Sequence, residues 1–151
     1  MTSALLAFLH HLAAFVLFGV LMVELVLMRS ELTPASARSL LRLDAVYGMS
    51  AMVLLVVGFV RVFKTEKGAA YYFGSVPFLV KIGLFVIVGL LSIGPTREFL
   101  SWRKSLQQQQ VPVIEEGRRR SIRRIIHIEL ALLVIIMLCA ALMARGIGFV
   151  G

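Results

Sequence analysis

The sequence predicts an all-α integral membrane protein, a four-helix bundle with both termini outside. Four long apolar stretches fill most of the 151 residues, 60% of the residues are hydrophobic, and the basic residues are segregated by loop. A soluble core of this size does not need so much apolar surface. About 20 helical residues at roughly 1.5 Å each cross a hydrocarbon layer of about 30 Å, and each stretch is long enough. A single domain, residues 1–151, accounts for the chain, with helices expected over about 4–29, 34–63, 76–103 and 113–145.

The first stretch, Ala4 to Met28, has no Lys or Arg ahead of it and is longer than the apolar core of a secretory signal, so it reads as a retained helix. Thr33-Pro34 reads as an N-cap followed by proline at the first helical position. The second helix then starts well before its apolar part, Ala45 to Phe63, and carries Arg38 and Arg42 on an extension. The next connection holds Lys67-Gly68 and Tyr71-Tyr72-Phe73, aromatics of the kind that anchor at a membrane interface. The third stretch, Val76 to Gly94, is followed by Pro95 and a linker with helical flanks that includes Gln107 to Gln110. The fourth, Ile125 to Ala144, follows the cluster Arg118 to Arg124. Cys139 stands alone, so no disulfide within the chain is possible, and it reads as a small buried hydrophobe.

The net charge is +8, and the placement of the basic residues assigns it to topology. Arg29, Arg38, Arg42, Arg97, Arg103, Lys104, Arg118, Arg119, Arg120, Arg123 and Arg124 make eleven on one side; Arg61, Lys64, Lys67, Lys81 and Arg145 make five on the other. By the positive-inside rule the eleven face the cytoplasm of a bacterial inner membrane, with contact to anionic lipid as a secondary role. Nucleic acid is not an expected partner, because no aromatic-basic platform accompanies the charge. The chain has no CxxCH, no HExxH, no glycine-rich phosphate loop and no Ser/His/Asp arrangement.

Ionisable residues inside the apolar stretches are the place to look for function, since a charge at mid-membrane costs at least about 2.5 to 3.5 kcal/mol. Counting rise per residue sorts them into two layers. His10, His11, Lys81 and Arg61, with Lys64 nearby and Tyr71 and Tyr72 as a roof, share the outer level. Glu24, Asp44, Tyr47, Arg97, Arg124, His127 and Glu129 share the inner one, expected to be of mixed sign, with Glu24 pairing with Arg42 and Asp44 with a base across the bundle. On the helical wheel Glu24 falls within about 40° of His10, along with Leu17, Leu21 and Met28, so His10 rather than His11 is expected to face the axis. His127 aligns with Ala131, Val134, Leu138 and Ala141, a strip suited to close packing. His10 and His127 differ in depth by roughly 15 Å, too far apart to share one iron. Each of these groups also has a purely structural reading: a buried imidazole can bond a neighbouring helix, and Lys81, Arg61 and Glu24 can reach an interface.

Phe8-Leu9-His10-His11, Asp44-x-x-Tyr47-Gly48, Gly58-x-x-Arg61, Lys67-Gly68-x-x-Tyr71-Tyr72, Phe78-x-x-Lys81 and Ser92-Ile93-x-Pro95-Thr96 together resemble the uncharacterised bacterial membrane proteins called domain of unknown function 2214. More distantly, the Leu-His early in the first helix, Gly19 beyond it and the Lys early in the third are similar to HemJ-type protoporphyrinogen oxidases and CopD-like membrane proteins. That likeness implies a haem ligand at His10 and a functional partner at Lys81. The chain departs from it at His11, at Glu24 and at Phe78, where the HemJ type tends to have Trp.

The leading expectation is a haem b binding protein, with His10 (or His11) on iron, Lys81 as second metal ligand or charged neighbour, and Arg61 with Lys64 meeting propionates. Membrane lipid, a quinone or porphyrin, and further copies of the chain are the expected partners, and a haem-dependent oxidoreductase the expected activity. The rival is a scaffold or assembly protein without cofactor. A third reading is a proton or metal-ion permease using Glu24, Asp44 and His127.

Overall fold

A computed structural model of the chain describes residues 2–64 and 72–148. Its helices are α1 (Thr2–Arg29), α2 (Pro34–Lys64), α3 (Val76–Ser101), the short α4 (Arg103–Gln107) and α5 (Glu116–Ala144). α1, α2 and α5, and α3 with its continuation through α4, are each long and apolar enough to cross a membrane. α1 packs along α2, and α3 along α5, as two antiparallel hairpins. The hairpins meet mainly through α1 and α5, with α2 and α3 closing the ring more thinly.

The distribution of polarity is inverted relative to a protein dissolved in water. Phe15 is 75% exposed, Met49 66% and Phe63 64%, whereas Glu24 is 2% and Glu129 1% exposed. Such a surface is stable only against lipid. The core is built from one strip per helix: Leu17, Leu21 and Met28 of α1, Leu40 and Tyr47 of α2, Val88 and Phe99 of α3, Ile122 and Ile126 of α5. On α1 the buried strip is the one that runs from His10 through Glu24. On α5 it is not the expected one, because His127, Ala131, Val134, Leu138 and Ala141 face outward, and Ile122, Ile126, Glu129 and Leu133 face in. In a bilayer both faces of a helix are apolar, so small residues alone do not mark the packed one.

Local chemistry fixes the ends. The Ser36 N–H donates to Thr33 Oγ1 at 3.1 Å and the Thr33 N–H donates to Ser36 Oγ at 2.8 Å, a reciprocal cap on α2 with Pro34 opening the helix. α3 runs through a buried Pro95 and breaks at Trp102, and α5 begins at Glu116, three residues later than the sequence suggested. Arg119 Nε donates to the Met28 carbonyl at 3.0 Å, and the same guanidinium holds the Ser30 carbonyl. It thereby satisfies acceptors that the end of α1 leaves open. Arg118 pairs with Glu98 at 3.0 Å, and the Trp102 indole N–H donates to the same carboxylate at 3.2 Å. At the other end the Val76 N–H donates to the Gly148 carbonyl at 3.0 Å. Gly148 has φ +82°, and a Cβ there would stand 2.8 Å from Pro77 Cδ, so this position requires glycine.

Candidate functional site

Two polar clusters lie inside the bundle, His10 and Glu24 being about 21 Å apart along α1. At the end shared by the chain termini, α1 contributes His10, α2 Gly58 and Arg61, α3 Lys81, and α5 Cys139. His10 Nδ1 is buried and makes no hydrogen bond among the described residues. Lys81 and Arg61 are close enough for their charges to act on the His10 ring, and the Leu54 carbonyl also faces it. Gly58 lets the α2 backbone come up to the imidazole: a Cβ on it would stand 3.4 Å from His10 Cε1. The Lys81 ammonium lies 5.3 Å from the centre of the Phe78 ring, and Phe78 in turn packs against Tyr72 at 5.5 Å, so Tyr72 covers the cluster through Phe78.

His11 does not enter. It is exposed, and its Nδ1 lies 2.6 Å from the Ala7 carbonyl one turn earlier. Lys64 is exposed in the last turn of α2, above Arg61. Tyr71 and the Lys67-Gly68 pair lie outside the described residues.

Toward the arginine-rich end, α1, α2 and α5 bring Glu24, Asp44 and Glu129 within electrostatic reach of one another, and all three are buried. The Thr96 hydroxyl of α3 donates to Asp44 Oδ1 at 2.8 Å. Tyr47, 5% exposed, faces Glu129 and Ser92. Glu24 Oε1 and Glu129 Oε1 are buried without a hydrogen-bond partner among the described residues.

The layer is therefore acidic rather than mixed. Among the described residues the ion pairs are Arg118 with Glu98, and Arg120 and Arg123 with Glu116, none of them involving the buried carboxyls. The expected Glu24 to Arg42 pair is absent there: Arg42 is exposed and lines a groove of about 570 Å³ with Arg38 and Arg103. Arg42 and Asp44 are two residues apart, about 160° around the helix, so a buried Asp44 sends Arg42 outward. Arg97 and Arg124 are exposed as well. His127 is exposed, accepts from Arg29 Nη2 at 2.9 Å and has Nδ1 2.6 Å from the Arg123 carbonyl, in a second groove of about 400 Å³ lined by Arg29, Arg120, Arg123 and Arg124. Sequence reasoning missed Thr96 and Ser92 as the polar face that α3 turns to the carboxyls. Their i, i+4 spacing in an apolar helix was the available signal.

Four membrane-crossing helices with an apolar exterior and two ionisable clusters inside define a polytopic integral membrane protein. The chain belongs to the family described as Predicted membrane protein (DUF2214), whose model matches residues 2–148. No curated protein and no solved structure matches it.

Proposed function

We propose that this chain is a haem b protein of the bacterial inner membrane, with its termini outside and its haem at the His10 end. The observation that carries the reading is one imidazole. His10 lies half-buried inside the bundle, with the Leu54 backbone carbonyl in hydrogen-bonding reach of its ring and with Lys81 and Arg61 facing it from two other helices. An imidazole held at one nitrogen by a backbone carbonyl has the other as a ligand that haem iron accepts. The donor set fits the group. His10 would hold iron, Arg61 with Lys64 would meet the propionates as charge-assisted donors, and Lys81 would be a second metal ligand or a charge beside the haem. Bound haem would supply one-electron exchange, for which a quinone or a porphyrin is a partner of suitable chemistry. The likeness of His10 and Lys81 to the HemJ type supports the same assignment.

The absorbance spectrum of protein purified from haem-replete cells tests the reading, with a Soret band as the expected result. A stable, colourless bundle would instead favour a scaffold in which the His10 cluster only fixes packing. Orientation follows from the eleven basic residues on one side. In a Cys139→Ala background, Ser3→Cys should react with an impermeant thiol reagent in intact cells while Gln109→Cys is protected. The reverse pattern would invert the topology.

A further inference from the structure

The acidic cluster lies about 21 Å from His10 along α1, and its hydrogen bonds do not close. An ionised carboxylate only accepts, whereas a protonated one brings its own O–H donor. The neutral donors that face Glu24, Asp44 and Glu129 are the Thr96 hydroxyl, which is given to Asp44, and the Tyr47 hydroxyl beside Glu129. The Ser92 hydroxyl is already donated to the Gly89 carbonyl at 2.8 Å. That leaves Glu24 Oε1 and Glu129 Oε1 open, on side chains 2% and 1% exposed. Carboxylates cannot leave this depth by snorkelling, since their stems are short. Like charges within electrostatic reach of one another in a medium of low dielectric repel.

Every element packed here adds to the same picture. α1 presents Glu24, α2 Asp44 and Tyr47, α5 Glu129, and α3 only the neutral Ser92 and Thr96. No three His, Cys, Asp or Glu side chains among the described residues converge closely enough to hold a metal ion. We infer that Glu24, Asp44 and Glu129 form a buried proton-binding site, in which a proton from water converts a carboxylate to a carboxylic acid and is released again as the reverse step. The site is separate from the His10 cluster, and it stands or falls without any haem.

Dicyclohexylcarbodiimide provides the test, because it modifies carboxylic acids in apolar surroundings and spares carboxylates. On the full chain in lipid nanodiscs, mass spectrometry is expected to find the adduct on Glu24 or Glu129, forming more slowly as the pH is raised and equally fast with added sodium. Hydrogen/deuterium-difference infrared spectra are expected to contain a protonated-carboxyl C=O stretch that weakens in Glu24→Gln and Glu129→Gln. Wild-type labelling keeps the test decisive should either variant fail to fold. Absence of both the adduct and the carboxyl band would overturn the proposal, and so would protection by sodium, which would make this a cation site.

Discussion

At the His10 end the ionisable groups are an imidazole and two cations on long stems, while at the Glu24 end they are three carboxyls on short ones. The cations can trade depth for hydration: Arg61 and Lys81 are half-buried, Lys81 rests on the Phe78 ring, and Lys64 reaches the surface. The carboxyls lie deeper than their stems can escape, so whatever settles them must be there already or must come to them. The contrast teaches that burial in a membrane bundle selects by side-chain reach as well as by charge. It also separates the two roles proposed above, a ligand site beside the basic groups and a proton site among the acidic ones.

The largest effect is expected from the imidazole. His10→Ala should lose essentially all bound haem, whereas His127→Ala and Glu24→Gln should keep it, as read by Soret absorbance at equal protein loading. Equal loss in Glu24→Gln would erase the distinction between the ends. A smaller effect is expected where Asp44 is held: Thr96→Val removes the hydroxyl that donates at 2.8 Å and should cost about 1 to 3 kcal/mol in reversible unfolding from mixed micelles. No change there would mean that the acidic cluster does not depend on its neutral donors. The smallest effect on stability belongs to Lys81→Met, which keeps the apolar stem and deletes the ammonium. Melting should be unchanged while the Soret maximum or the reduction potential shifts, since axial ligand and local charge both tune haem. A variant matching the parent in all three would make Lys81 an interfacial anchor.

Much of this was legible in the sequence, for reasons that differ by residue. Rise per residue placed His10, Arg61 and Lys81 at one level, and the structure brings the three together. The wheel through Leu17, Leu21, Glu24 and Met28 gave the buried face of α1 because that strip holds its ionisable residues at both ends. Level without direction was the weak point. Arg42, Arg97, Arg124 and His127 share the depth of the carboxyls, yet they point away from them. On α5 the apolar residues surround the helix, so the small residues in line with His127 made its strip read as the packed one, whereas packing buries Glu129, two residues on, instead.

The Arg119 grip on Met28 and Ser30 bears on the order in which the chain assembles. Its bond to Met28 joins residues 91 apart in sequence, whereas α1 and α2 are neighbours connected by a short, capped turn. Local pairs form before distant ones, because less chain must be constrained to bring them together. The first hairpin can therefore settle in the membrane while water still occupies the last carbonyls of α1. Only when α5 arrives does a side chain replace that water, so the terminus of the first helix is completed by one of the last to be inserted.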